Sequence, residues 1–266
     1  MRPIPPELVS GFEAVIHLSG ESVVGRWTEA KKNHIRDSRV VSTQNLSQAL
    51  ANAEPRSSTL ICASAIGYYG SRGDEALTEE SPSGDGFLPE VCREWEAATK
   101  TAADAGVRTV NLRIGLVLSR DGGALKPMLL PFRLGLGGKI GDGRQWWSWI
   151  HIVDLVSAIH HILQNASNGN VERRASPPGH PISGAINMTA PNPVTNADFT
   201  RTLAGTLKRP AILPIPAFAA RLAFGELADE GILASARVVP RKLLESGFQF
   251  KHRELRPTLE TLLNEA

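Results

Sequence analysis

The stretch Thr59-Leu-Ile-Cys-Ala-Ser-Ala-Ile66, which runs directly into Gly67-Tyr-Tyr-Gly70, decides the fold class. Its apolar residues follow one another without alternation, which is typical of a strand that is covered on both faces. An earlier run of the same kind, Ala14-Val-Ile-His-Leu18, ends in Ser19-Gly20-Glu21. Both patterns predict buried strands that end in tight turns.

Segments with helical periodicity separate these runs from each other and from later strand-like runs. Thr28 is suited to cap the first such segment, and Gly106 to end the second. Helices are expected at 28–51, 89–105 and 152–163, and further strands at 107–118 and 185–189. Strands that alternate with helices predict a parallel sheet with right-handed crossovers. The expected class is therefore α/β, a doubly wound, Rossmann-like parallel sheet.

The pattern of residue types in the sequence changes after Pro191. Thr195 and Asp198 have the spacing of a helix-capping pair, and three prolines then interrupt the chain. We expect an α/β domain at 1–190, which includes a glycine-rich excursion at 121–145, and a small, mostly helical C-terminal domain at 191–266.

Composition narrows the classes of partner. The 266 residues include 29 Lys and Arg and 27 Asp and Glu, with no long run of like charge, so no nucleic-acid partner is expected. The apolar runs are shorter than the roughly 20 residues that span a bilayer, and no signal peptide is recognisable, so no membrane partner and a cytoplasmic location are expected. No metal-ligand spacing is found, so no metal site is predicted. Cys62 and Cys92 are expected to be reduced thiols.

In a doubly wound sheet, ligands bind at the carboxyl ends of the strands. The residues that follow the predicted strands are therefore candidates for a small-molecule site: Ser19-Gly20-Glu21, Ser64 with Tyr68 and Tyr69, and Arg113 with Gly115. Small residues at these places let a ligand approach the backbone, but they also simply form turns. On the residues alone, both interpretations stay open.

Several of these segments together resemble one protein family. They resemble the atypical short-chain dehydrogenase/reductases called epimerase family proteins, which are related to the nucleotide-sugar epimerases. The segments that carry the resemblance, spread over nearly the whole chain, are Ala14–Glu21, Arg26-Trp27, Ser38-Arg39, Ser64–Gly70, Leu130–Gly138, Trp149–Asp154 and the tail Pro214–Phe250.

The resemblance implies a Rossmann domain that binds NADP(H) and a C-terminal domain that helps to close a substrate pocket. By match to the family, it assigns cofactor contacts to Leu18, Ser19, Arg39 and Arg113. Ser64 matches the serine that hydrogen-bonds the substrate carbonyl, and Tyr69 lies just beyond it, so these two are the catalytic candidates.

Two features depart from the family pattern. No G-x-x-G-x-x-G turn precedes Ala14, and about a dozen residues stand where a βαβ unit needs roughly 30. We therefore expect a sheet without its first βαβ unit, weakened NADP binding, and an open edge at 14–18 that takes a partner strand or a second copy. In addition, Leu88 and Cys92 occupy the positions of the usual Tyr-x-x-x-Lys pair.

The leading hypothesis is thus an NADP(H)-dependent oxidoreductase or epimerase-like protein that acts on an unidentified small molecule. Two alternatives stay open. The first is a dinucleotide-binding or regulatory module without chemistry, which the missing Tyr–Lys pair suggests. The second is a truncated, cofactor-free chain.

Overall fold

The computed structural model describes residues 3–165 and 182–264. The strands in these ranges are β1 (Ala14–His17), β2 (Thr59–Ala65), β3 (Ala76–Leu77), β4 (Arg108–Ile114), β5 (Leu116–Leu118), β6 (Trp146–Trp147), β7 (Trp149–His151), β8 (Gly184–Met188), β9 (Val194–Thr195) and β10 (Arg237–Val238). The α-helices are α1 (Glu29–Asp37), α2 (Val40–Asn52), α3 (Phe87–Ala97), α4 (Lys100–Asp104), α5 (Leu125–Arg133), α6 (Ile152–Gln164), α7 (Asn196–Leu207), α8 (Ala217–Phe224), α9 (Arg241–Glu245) and α10 (Leu255–Asn264). Shorter helical turns are Pro6–Leu8, Ile66–Tyr69 and the π-helix Ala228–Ile232.

A parallel sheet of four strands, in the order β1-β2-β4-β8, forms the centre of the fold. Helices cover both faces of this sheet. Because successive strand residues point to opposite sides, neighbouring residues of one strand pack against different helices. On β2, Leu60 packs with α2, α3 and α4, whereas Ile61 packs with α6 and the C-terminal tail. The expected Rossmann-like α/β class is confirmed. Within the described residues, β1 forms one edge of this sheet, and Ile16 on it is 44% exposed.

Three predicted elements are interrupted. The helix expected at 28–51 is two helices, α1 and α2, which meet at Ser38 and Arg39. The strand expected at 107–118 breaks at Gly115, where an added Cβ would lie 2.5 Å from the carbonyl oxygen of Ser148. Beyond this close approach, β5 leaves the main sheet and pairs with β7. The helix expected at 89–105 is likewise divided into α3 and α4.

A helical C-terminal part is present, as predicted. Thr195 caps α7 by accepting a hydrogen bond from the Asp198 amide (3.1 Å). Phe199 and Leu203 of this helix pack in one core with α10 and with Leu125 of the excursion at 121–145. The helix α5 was not predicted, because the seven glycines of 121–145 suggested an irregular excursion. The boundary placed between 190 and 191 stays a prediction.

The helices of the described ranges include none that is long and apolar enough to cross a membrane.

We expect Asp154 to be essential for stability. This residue of α6 is fully buried, and its two carboxylate oxygens accept hydrogen bonds from the amides of Lys251 (3.0 Å) and His252 (2.8 Å). Asp154→Ala should lower the free energy of unfolding by about 3 kcal/mol, since two backbone amides lose the charged acceptor that a fully buried side chain provides. Urea denaturation measures the change. Asp37→Ala, at an exposed position, serves as the control and should stay within about 0.5 kcal/mol of the unmodified chain. Equal losses in both variants would contradict the assignment.

Candidate functional site

The turn after β1 is open to solvent. Leu18 is 57% exposed, and Ser19 and Gly20 are exposed beside it. The turn is attached to the break between α1 and α2, because the Glu21 amide donates a hydrogen bond to Ser38 Oγ (2.9 Å). These residues therefore present backbone and a hydroxyl group at the carboxyl end of the sheet, where a ligand can approach them closely.

Arg39 lies directly against this turn. A Cβ added to Gly20 would lie 3.1 Å from Arg39 Cζ, so the absence of a side chain at Gly20 leaves room for the guanidinium. Arg39 Nη1 donates to the Ile35 carbonyl (3.0 Å), and the guanidinium lies over the Trp95 ring at 5.1 Å from its centroid. Within the described residues Arg39 forms no ion pair, and the Glu21 carboxylate instead pairs with Lys31. Burial lowers the pKa of Arg39, but a guanidinium stays charged at neutral pH. The result is a half-buried cation suited to an anion.

Arg113, by contrast, is held by a buried carboxylate. Its Nε and Nη2 donate to the two oxygens of Glu96 at 2.8 and 2.9 Å, and the two side chains are only 5% and 14% exposed. Nη1 donates to the Tyr69 hydroxyl (2.9 Å), and Cζ lies 3.4 Å from the centroid of the Tyr68 ring. Burial opposes the charge, but the bonds to Glu96 and Tyr69 outweigh it and raise the pKa of Arg113. Contact with a cofactor stays a prediction for this residue, and it would require a change in these bonds.

The two catalytic candidates belong to the same buried network. Ser64 Oγ donates to Glu96 Oε1 (2.8 Å). The Tyr69 hydroxyl accepts from Arg113 and lies within donating distance of Asn187 Oδ1 (2.7 Å) and of the Thr78 carbonyl (3.0 Å). Burial raises the pKa of Tyr69 to about 12, so its phenol remains protonated at neutral pH. In this arrangement both hydroxyl groups point into the protein.

The structure thus divides the predicted residues into two groups at the carboxyl end of the sheet. One group is the turn after β1, formed by Leu18 and Ser19, with Arg39 beside it. The other group is the buried network of Ser64, Tyr69 and Arg113 with Glu96. Sequence reasoning did not select Glu96 as a site residue. It follows Cys92 by one helical turn, so a carboxylate on the buried face of α3 was the available signal.

Leu88 and Cys92, which stand at the positions of the usual Tyr–Lys pair, have structural roles here. Cys92 is buried, and burial raises the pKa of its thiol to about 12, so it is not a thiolate at neutral pH. At the start of α3, the amides of Phe87 and Leu88 donate to the carboxylate of Glu230 at 2.8 and 2.7 Å. The C-terminal part therefore supplies the cap of this helix.

In 3–165 and 182–264, no group of three or more His, Cys, Asp or Glu residues is arranged to hold a metal ion.

The buried Glu96–Arg113 pair should contribute far more to stability than its exposed neighbour. Glu96→Gln leaves the Arg113 guanidinium buried without a counter-charge, so the free energy of unfolding should fall by about 3 kcal/mol or more. Glu94→Gln is the matched control on the same helix, because Glu94 pairs with Arg36 in a more exposed position. It should cost less than about 1 kcal/mol. Urea denaturation compares the two, and similar losses would disprove the special role of the buried pair.

Comparison with protein families gives two matches. Residues 7–175 match the NAD dependent epimerase/dehydratase family, and residues 215–262 match a domain of unknown function, DUF1731. Among curated proteins, epimerase family protein Mb2239 of Mycobacterium bovis is 41% identical over 251 residues, which cover 94% of this chain and 78% of that protein. Human epimerase family protein SDR39U1 is 34% identical over 255 residues, with coverage of 94% and 82%.

Two solved structures are also similar to this chain. Human SDR39U1 (isoform 2), crystallised with NADPH, has a TM-score of 0.86 and 33% identity, covering 96% of this chain and 82% of that one. A nucleoside-diphosphate sugar epimerase from Corynebacterium glutamicum has a TM-score of 0.73 and 36% identity, covering 98% and 51%. The resemblance inferred from the sequence is confirmed. The chain belongs to the NAD-dependent epimerase/dehydratase family, among the epimerase family proteins similar to SDR39U1.

Proposed function

We propose that this protein binds NADP(H) at the turn after β1 and acts as an oxidoreductase or epimerase-like enzyme on a small molecule. The observation that carries the proposal is Arg39, a half-buried guanidinium that forms no ion pair within the described residues and faces the exposed turn at Gly20. Such a cation is well suited to bind a phosphate group through paired N–H donors.

The residues around Arg39 fit this cofactor. Gly20 adds no side chain between the turn and the guanidinium, while Leu18 and Ser19 offer an apolar contact and a hydroxyl group. The NADPH in the crystals of the human relative supports the same identity for the ligand. When bound, NADP(H) supplies or accepts a hydride. The contribution of this chain is to hold the phosphate at Arg39 and to keep Ser64 and Tyr69 fixed around the Arg113–Glu96 pair.

A second candidate function is a dinucleotide-binding module that performs no chemistry. The observation that favours it is the inward bonding of Ser64 and Tyr69, together with a pKa of about 12 for Tyr69. A screen of nucleotide sugars and small carbonyl compounds separates the two functions. Because an epimerase returns the hydride, the screen should follow both NADPH absorbance and the products. Binding without turnover of any compound favours the module.

Other expectations from the sequence stay predictions. They are a cytoplasmic location, which cell fractionation tests, and a second copy or partner strand at the β1 edge, which sedimentation of the purified chain tests.

Arg39→Ala should weaken NADPH binding by about 10- to 100-fold, the range expected when charge-assisted hydrogen bonds to a phosphate are lost. Titration with NADPH, followed by the fluorescence of the tryptophans, measures the affinity. The matched control is Arg36→Ala, three residues earlier, whose side chain pairs with Glu94 and should leave the affinity unchanged. Thermal melts without ligand verify that both variants are folded. If Arg39→Ala binds as tightly as the unmodified chain, the phosphate site is wrong. If the unmodified chain does not bind NADPH, the cofactor-free alternative is favoured.

If a substrate is found, Tyr69→Phe should lower the turnover about tenfold and leave the NADPH affinity unchanged. The variant keeps the ring but removes the hydroxyl that Arg113 donates to, which loosens the network at the end of β4. Tyr68→Phe is the control, because its ring still stacks on Arg113. Steady-state rates and NADPH titrations of both variants provide the comparison. Equal turnover in the two variants would remove Tyr69 from the proposed site.

A further inference from the structure

We propose that this protein carries a surface that binds peripherally to an anionic lipid bilayer. This surface, the basic apolar face, is built by two segments, 125–141 and 205–213. It consists of five exposed aliphatic residues and five cations, namely Leu130, Leu134, Leu136, Ile212 and Leu213 with Lys126, Arg133, Lys139, Lys208 and Arg209. It contains no residue of the proposed cofactor site.

The aliphatic residues of the first segment lie on the outer side of α5. Leu125, Leu129 and Phe132 face the core, so Leu130 is left on the outside, 67% exposed. Leu134, one turn further, is 64% exposed. Helical spacing thus produces an apolar stripe on a helix whose other face is already packed.

The second segment lies against the first. A Cβ added to Gly135 would lie 3.4 Å from the Pro210 ring, and one added to Gly138 would overlap the Leu213 carbonyl oxygen at 1.6 Å. Ile212 and Leu213, which are 80% and 55% exposed, are therefore held beside the loop that follows α5. The two segments form one continuous surface. An exposed apolar surface of this kind is typical of a docking site.

Charge identifies the partner. The segments 125–141 and 205–213 contain five Lys and Arg residues and no Asp or Glu, although the whole chain is nearly balanced at 29 against 27. None of these five side chains forms an ion pair within 3–165 and 182–264. A second copy would bring the same positive charge to this face and be repelled, whereas an anionic bilayer complements both the cations and the aliphatic side chains.

A groove next to this face has the size for a headgroup. It has a volume of about 490 Å³, and Lys139, Arg201 and Arg209 contribute cations to a lining otherwise made of small side chains and Thr200. Arg201 also pairs with Asp198 at 3.1 Å. The groove and the second segment share Arg209 and Ala211, so a lipid phosphate bound in the groove would lie beside Ile212.

The expectation of no membrane partner rested on the length of the apolar runs, which concerns membrane-spanning segments only. A peripheral surface needs no such run, because it combines a few exposed apolar side chains with basic residues. Each basic residue near an anionic membrane strengthens binding roughly fivefold.

Co-sedimentation with vesicles tests the proposal. The full chain should bind vesicles of phosphatidylcholine mixed with phosphatidylglycerol, and bind vesicles of phosphatidylcholine alone at least about tenfold more weakly. Lys208→Glu with Arg209→Glu should reduce binding to the mixed vesicles by roughly 30-fold or more. Leu130→Ser with Leu134→Ser should also reduce it, although every charge is retained. The controls Lys251→Glu and Leu8→Ser alter exposed positions elsewhere and should bind normally.

Several results would overturn the proposal. One is failure of the unmodified chain to prefer the anionic vesicles. Another is equal binding by the patch variants and their controls. A third is a change of oligomeric state in the patch variants without vesicle binding, which would assign the surface to a second copy. Thermal melts of the same variants show whether they are folded. NADPH titrations of these variants test the proposed cofactor site independently, so failure of the membrane proposal can be distinguished from failure of the cofactor proposal.

Discussion

The buried ion pair between Arg113 and Glu96 organises the carboxyl end of the sheet. A guanidinium this deeply buried is stable only with its counter-charge and with its remaining N–H groups bonded, so the surrounding structure must supply partners. Glu96 comes from α3, Ser64 from β2, and Tyr69 from the turn beyond it. The pair thereby joins β4 to α3 and fixes the strand ends against which a ligand would lie.

Arg113 and Arg39 have different roles in the candidate site. Arg113 has its bonding groups engaged inside the protein, and it supports the geometry. Arg39 lies against a glycine turn without an ion pair in the described part of the chain, and it offers its charge to the outside. A single chain can in this way use one cation for structure and another for binding. The open one is the better candidate for a phosphate group, which is why the proposed function depends on Arg39.

The C-terminal part has a double role in the same scheme. On one side it completes the α/β part, since Glu230 caps α3 and Asp154 holds the tail at Lys251 and His252. On another side its segment 205–213 joins 125–141 in a surface that is rich in cations and aliphatic residues. The outer face of α5 contributes to this surface because its buried stripe, which includes Leu129 and Phe132, leaves Leu130 outside.

The sequence by itself determined the class of the fold, because unbroken apolar runs and capping residues such as Thr195 act over a few neighbouring positions. It indicated the family separately, through segments that resemble it. It also determined the excess of positive charge in 125–141 and 205–213. Only the tertiary structure decided that β4 stops before Gly115, where the Ser148 carbonyl approaches, and that Arg113 is paired with Glu96. The reason is physical. These two charges are 17 residues apart, and their contact depends on how α3 packs over the sheet, which no local pattern records.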